Sequence, residues 1–229
     1  DDFYARVIGQ FIPSLMVAFV AIAYLYNRGK NFIKREYVWF SLSISLPLIF
    51  HQLGHQLLNQ LDRIMIGRML GTNEVALYSF GYNLGLIIQV VLLSLNTTWT
   101  PWFFEERRKN NQNLSTVISL YLQVGLFLTL GYLTIYPEVA FIMGGDAYLS
   151  SISFIPLIIV SYFLTFLYTF PVNIQFFYEN TSLIPIGTIL AAIVNLILNI
   201  VMIPTFGIYG AAMATVLSYL SLLILHHII

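Results

Sequence analysis

The chain has 229 residues, 59% hydrophobic, 16% aromatic and 9% charged, with a mean hydropathy of +0.82. Soluble domains carry about 25% charged residues, so a soluble enzyme, a nucleic-acid binder and a disordered chain are excluded. Ten basic residues balance ten acidic ones and cysteine is absent, which removes attraction to polyanions, disulfides and thiolate chemistry.

What remains is an all-α, polytopic membrane protein. A helix needs about 20 apolar residues to cross roughly 30 Å of hydrocarbon. Such stretches fall at about 8–27, 40–61, 77–99, 116–136, 152–173, 183–203 and 208–226, a bundle of about seven transmembrane helices. The stretches are too long and too rich in leucine for barrel strands. Short loops make successive helices antiparallel neighbours.

The first span is followed by Arg28, Lys30, Lys34 and Arg35, and the third by Arg107, Arg108 and Lys109. The opposite side holds Arg6, Arg63 and Arg68. This bias places the 28–36 and 103–115 loops in the cytoplasm. The 136–150 loop, with Glu138 and Asp146 and no base, then lies outside, and the C-terminus inside. The chain begins with Asp, and its first span enters from outside. The expectation is a fragment preceded by an odd number of spans.

The second span carries the most informative stretch. His51, His55, Asn59 and Asp62 lie on one helical stripe, with Gln52, Gln56, Gln60 and Arg63 beside it. Charges at mid-membrane cost about 2.5–3.5 kcal/mol on insertion scales, so this face cannot meet lipid. It borders either a water-filled cavity or a hydrogen-bonded seam between helices, with amides acting as glue. The two histidines titrate near neutrality and are candidate proton-coupling groups. Their i, i+4 spacing lacks the glutamate and third ligand of a zinc site.

Further along, the third span ends in Asn96, Thr97, Thr98, Trp99 and Thr100 before Pro101. Trp99 and Trp102 suit an interfacial aromatic belt. Asn83 and Gln89 are too far apart in phase to form one face. Glu105 to Lys109 reads as a solvated cytoplasmic turn. Asn173 and Gln175, after Pro171, are placed to line an inner gate. Asn195 and Asn199 form an i, i+4 pair within the sixth span. Gly207/Ala211 and Gly210/Ala214 allow close helix packing. Pro47, Pro101, Pro156, Pro171, Pro185 and Pro204 fall in or near spans, where each removes a backbone donor. No phosphate-binding glycine loop and no Ser–His–Asp arrangement is present, and no cofactor is implied.

Two runs carry a family resemblance. LDRIMIGRMLGTNEVALYSFGYNLG (Leu61–Gly85) resembles the segment joining the first two helices of the C-terminal lobe in Wzx-type polysaccharide flippases. These belong to the multidrug/oligosaccharidyl-lipid/polysaccharide exporter superfamily. NLILNIVMIPTFGIYGAAMATVLSYL (Asn195–Leu220) resembles that family's penultimate helix, turn and following helix. The resemblance implies two six-helix lobes around a central cavity. On it, residues 1–36 are the last helix of an N-terminal lobe with a cytoplasmic linker, and 37–229 a six-helix C-terminal lobe. The missing lobe belongs to the same full-length chain or to a partner chain.

The implied function is flipping of an undecaprenyl-diphosphate-linked oligosaccharide for O-antigen, capsule or similar surface polysaccharide, across a bacterial or archaeal cytoplasmic membrane. No catalysis is required, because no bond is broken. Expected partners are this lipid-linked oligosaccharide, membrane lipids and polysaccharide assembly proteins. The expected cavity residues are His51, Gln52, His55, Gln56, Asn59, Asp62, Arg63, Arg68, Asn195 and Asn199. The polar groups suit sugar hydroxyls and the arginines suit the diphosphate. Coupling to a proton or sodium gradient is compatible with the sequence. Rival readings are a multidrug or cation antiporter of the same superfamily, a lipid II-type flippase, a membrane enzyme of polysaccharide polymerisation, and a scaffold with its polar stripe sealed.

Overall fold

A computed structural model describes residues 2–29, 34–109, 114–178 and 184–228, with side chains described at all of these except 2–4, 6, 10, 43–59, 185 and 228. The elements are α1 (Asp2–Gly29), α2 (Arg35–Met69), α3 (Thr72–Arg108), α4 (Leu114–Gly144), a 3-10 helix (Asp146–Ser153), α5 (Ile155–Phe177) and α6 (Ile184–Ile228). Among the described residues every regular element is helical, as an apolar chain that must satisfy its backbone internally requires. Five of these helices (α1, α3, α4, α5 and α6) are long and apolar enough to cross a membrane. The chain divides into two compact units, Asp1–Gln56 and Leu57–Ile229.

In the first unit α1 is apolar over residues 15–26, with Val17, Phe19 and Val20 all exposed, while Asp2, Arg6, Gln10 and Ser14 follow one another at i+4 spacing before it. Its charged end is handled locally. The Arg28 guanidinium lies 5.3 Å from the centre of the Tyr24 ring, and Lys34 lies 5.3 Å from that of Tyr37 on α2. Both cations thus rest on aromatic faces near the helix ends.

In the second unit the pairings follow from which residues touch. Tyr78 of α3 reaches back to Asp62 of α2 across the turn at Gly71, so these helices are antiparallel. Tyr132 of α4 bonds the Leu84 carbonyl of α3, and Trp99 stacks on Tyr121, which again is antiparallel. Gly81 and Gly85 of α3 meet Phe154 and Ile158, and Asn96 meets Asn173, so α3 and α5 run parallel.

α6 is not one straight rod. Its Asn199 and Thr215 both bond Asp62, although 16 residues of straight helix would part them by about 24 Å. Gly187 faces His226, and Gly210 faces the Met202 backbone. These pairs are centred on Gly207, whose φ of 61° and ψ of −143° break the helix. α6 is therefore a hairpin of two antiparallel arms, and the sixth and seventh expected spans are those arms.

α5 is the hub. Its Ile155, Ile158, Ile159, Tyr162 and Phe166 are buried, and glycines make room for them. A Cβ on Gly81 would lie 2.6 Å from the Phe154 ring; Gly85 opposes Ile158, and Gly125 of α4 opposes Phe166. Without glycine these helices could not approach as closely, and in lipid such packing supplies much of the association energy.

Several expectations need correction. The fifth span begins at Ile155, because residues 146–153 form the 3-10 helix. Pro156 sits at the start of α5 and Pro185 at the start of α6, positions where proline opens a helix rather than kinking it. The Glu105–Lys109 run is no turn: α3 continues to Arg108, so most of it is the last helical turn. There Lys109 bonds Glu105 at 2.7 Å and Glu106 at 3.2 Å. These hydrogen bonds raise its pKa, although such an exposed pair adds little stability.

Candidate functional site

The residues expected to form a cavity divide into three groups. His51, Gln52, His55, Gln56 and Asn59 belong to α2, but their side chains lie outside the described residues. Asp62, Asn195 and Asn199 come together. Arg63 and Arg68 stand apart from that group.

Asp62 is 6% exposed and lies about 14 Å along α2 from the turn at Gly71. Its carboxyl group receives a hydrogen bond from the Tyr78 hydroxyl at 3.1 Å. The Asn199 amide donates to it at 2.5 Å and the Thr215 hydroxyl at 3.3 Å. The partners come from α3 and from both arms of α6, so one carboxyl group ties four helical segments. The second Asn199 hydrogen goes to Asn195 Oδ1 at 3.0 Å. Asp62 and Asn199 therefore lie in a hydrogen-bonded seam within the bundle.

The seam has a surplus of acceptors. Asn199 Oδ1 is buried and has no partner among the described residues. Burying such an atom costs about 1–3 kcal/mol unless something satisfies it. Beside it are the Asp62 and Asn195 oxygens, and Thr215, whose hydroxyl also reaches the Ala211 carbonyl at 3.0 Å. No cluster of three or more His, Cys, Asp or Glu exists among the described residues. The all-oxygen set suits a proton or a hard monovalent cation rather than a transition metal.

Arg63, the next residue, is half-buried and turned elsewhere. Its guanidinium lies 5.0 Å from the centre of the Tyr82 ring, and Nη1 donates to Gln60 at 2.9 Å. Nε has no partner among the described residues. Tyr82 packs edge-on against Tyr162 at 5.8 Å, so an aromatic wall fixes the arginine. Arg68 is exposed in the last turn of α2.

Other polar residues are committed within the bundle. Asn173 is 7% exposed and bonds Asn96 at 3.2 Å. Gln175 is 9% exposed and lies 3.1 Å from His226 Nδ1. Both are sealed between helices and neither lines a gate. Trp99 is also buried, 4.3 Å from Tyr121 in a stacked pair, and so is no belt residue. Sequence reasoning missed Tyr78, Thr215 and His226. Tyr78 and Thr215 stand within the two family-like runs, but their convergence needs the α6 hairpin. His226 lies in a helix end whose sequence gives no partner.

Residues 1–107 match a family model described as "Polysaccharide biosynthesis protein". Two proteins of Haemophilus influenzae are also similar. "Lsg locus putative protein 1" is 26% identical over 199 residues, 82% of this chain and 49% of that protein. An "Uncharacterized membrane protein" is 26% identical over 226 residues, 90% of this chain and 54% of that protein. The chain thus spans about half the length of these relatives. No solved structure matches it. The resemblance to the polysaccharide flippase family read from the sequence is borne out.

Proposed function

We propose that this chain is the C-terminal lobe of a flippase that moves a lipid-diphosphate-linked oligosaccharide across a bacterial or archaeal cytoplasmic membrane by alternating access. The physical problem is a sugar and diphosphate head that hydrocarbon excludes. A polar surface inside the bilayer replaces the hydrogen bonds of water, while the lipid tail stays among lipids. No bond is broken, so no catalytic group is assigned.

The observation that carries this reading is Arg63. Among the described residues the ion pairs are those of Lys109 alone. Arg63 is thus a half-buried guanidinium that makes no ion pair among the described residues and feels the neighbouring Asp62 carboxylate only at longer range, in a bundle that spans the membrane. Such a cation is expensive unless function retains it. A guanidinium suits anionic oxygens, and a diphosphate offers several. A cation antiporter would instead want an accessible carboxylate, and Asp62 is spent on three donors.

Asp62 is given a different role: coupling. It is the point where α2, α3 and both arms of α6 meet. Adding a proton or a small cation changes the hydrogen-bond demand at that point and so the preferred packing of all four segments. Rocking of the lobe against a second lobe would alternate access.

The test uses the full-length protein in proteoliposomes with a labelled undecaprenyl-diphosphate oligosaccharide. Arg63→Gln lowers flipping by about tenfold, while Arg63→Lys keeps part of it, because charge remains but the planar fork is lost. Wild-type flipping by Arg63→Gln refutes the assignment.

A further inference from the structure

We propose a second binding surface, on the first turns of α4 and their seam with α3, that contacts the glycan portion of the cargo; it rests on the flippase reading. Two depressions share Leu120 there. One, of about 430 Å³, lies between α3 and α4 and is walled by Thr98, Trp99, Trp102 and Tyr121 among aliphatic side chains. The other, of about 460 Å³, lies on α4 alone and is lined by Ser115, Thr116, Ser119, Leu120 and Gln123. Each is of the size that accommodates small ligands.

The start of α4 is more polar than a surface that meets lipid throughout, although Leu120, Val124 and Phe127 are exposed beside it. The first arm of α6 shows what such a surface looks like: Ile189, Ile193, Ile197, Ile200 and Val201 are all exposed. The first turns of α4 instead expose Ser115, Thr116, Ser119 and Gln123. Ser115, Ser119 and Gln123 follow one another at i, i+4 and i+8, which puts them on one stripe. Gln123 lies nine residues into α4, about 14 Å from its start. Its amide reaches only Ser119 Oγ, at a long 3.4 Å. An amide with unspent donors and acceptors at that depth needs a polar partner.

The aromatic wall is already built. Trp99 is stacked on Tyr121 at 4.3 Å and 19° and lies 4.9 Å from Trp102. Trp99 itself is buried, so the half-buried Trp102 beside that pair offers apolar contact to the C–H face of a sugar ring, and the adjacent hydroxyl and amide groups pair with its hydroxyls. Among the described residues no charged side chain lines either depression, which suits a neutral ligand. That separates this surface from Arg63, which suits the diphosphate, and the two divide the head group between them.

The experiment places single cysteines by Ser119→Cys, Gln123→Cys and Ile197→Cys in a cysteine-free version of the full-length protein, in membranes. A charged, membrane-impermeant maleimide reacts only with a hydrated thiolate. The α4 sites label about tenfold faster than position 197. Equal rates place α4 against lipid and overturn the proposal. The second arm adds lipid-linked oligosaccharides extracted from the producing cells, or the same extract after mild acid has removed its sugars. The intact extract slows labelling at 123 by about tenfold through occupancy, and the acid-treated extract does not. Equal protection by both means that lipid chains fill the groove and overturns the glycan assignment. Flipping by the wild-type protein is measured alongside. Protection without flipping sinks the flippase reading and leaves the glycan site standing.

Discussion

Replacing Asp62 separates its structural role from its role in coupling. In Asp62→Ala three donors lose their acceptor. Thr215 retains the Ala211 carbonyl at 3.0 Å, and one Asn199 hydrogen retains Asn195. The other Asn199 hydrogen and the Tyr78 hydroxyl are stranded. At about 1–3 kcal/mol for each buried unpaired donor, the loss is about 2–6 kcal/mol. Asp62→Asn behaves differently. Its carbonyl can still accept from Asn199, and its amide can donate to the hydroxyl oxygens of Tyr78 and Thr215. Thr215 can donate to the Ala211 carbonyl, which leaves the Tyr78 hydrogen as the one donor without an acceptor. The network closes but for that hydrogen, at a cost of about 1–3 kcal/mol. The assay is thermal unfolding of the full-length protein in detergent, followed by gradient-driven flipping. Asp62→Ala melts well below wild type and Asp62→Asn between the two, yet Asp62→Asn no longer responds to an imposed ion gradient. If Asp62→Ala melts with wild type, the four-segment junction is not what holds this end of the bundle. If Asp62→Asn is still driven by the gradient, coupling lies elsewhere.

The remaining predictions concern packing. Gly81→Ala and Gly85→Ala each destabilise by about 1–3 kcal/mol, because the added methyl overpacks against Phe154 or Ile158. Gly131→Ala, with nothing within 4 Å of its new methyl, leaves the melting temperature unchanged or raises it slightly. Gly207→Ala costs about 1–3 kcal/mol, since its positive φ at the hairpin is a conformation other residues resist. Asn173→Leu alone leaves Asn96 Oδ1 with only the long 3.4 Å contact from the Thr100 hydroxyl, whereas Asn96→Leu with Asn173→Leu removes both partners. The double variant melts higher than Asn173→Leu, as a cycle of melting curves would reveal.

Much of the fold was legible because membrane insertion is a one-dimensional problem. An apolar run of sufficient length forms a helix, and short connections force antiparallel neighbours. The small residues after Gly207 were read as a packing face, and Ala211 and Ala214 are fully buried. Helix ends were less legible. α3 runs on to Arg108, well past the apolar stretch, because nothing at its end breaks a helix that has left the hydrocarbon. Pro156 and Pro185 looked like kinks because sequence alone does not say whether a proline sits at the first turn or in the interior. The site was legible in composition but not in pairing. Asp62 and Arg63 are adjacent in sequence yet point about 100° apart around the helix. One therefore enters the seam with Tyr78 and Thr215 while the other rests on Tyr82. The residue types were visible in advance; which of them turn inward depends on the α6 hairpin, which brings together residues more than a hundred positions from α2.

The same contacts bear on how a transporter built from this lobe would move. Cross-helix hydrogen bonds fasten it at two levels: Asp62 with Tyr78, Asn199 and Thr215 towards one end, and Asn96 with Asn173 and Gln175 with His226 towards the other. Between them the glycine notches lock α3 and α4 onto α5. Sliding any of these helices by one turn would break buried polar pairs and drive ring carbons into backbone. Close-packed interiors resist such continuous deformation. Motion is therefore cheaper between this lobe and whatever faces it than within it. The exception is Asp62, where a single change of protonation or cation occupancy reaches all the converging segments at once. A lobe stiff everywhere except at one titratable knot is suited to rock as a unit when that knot changes state.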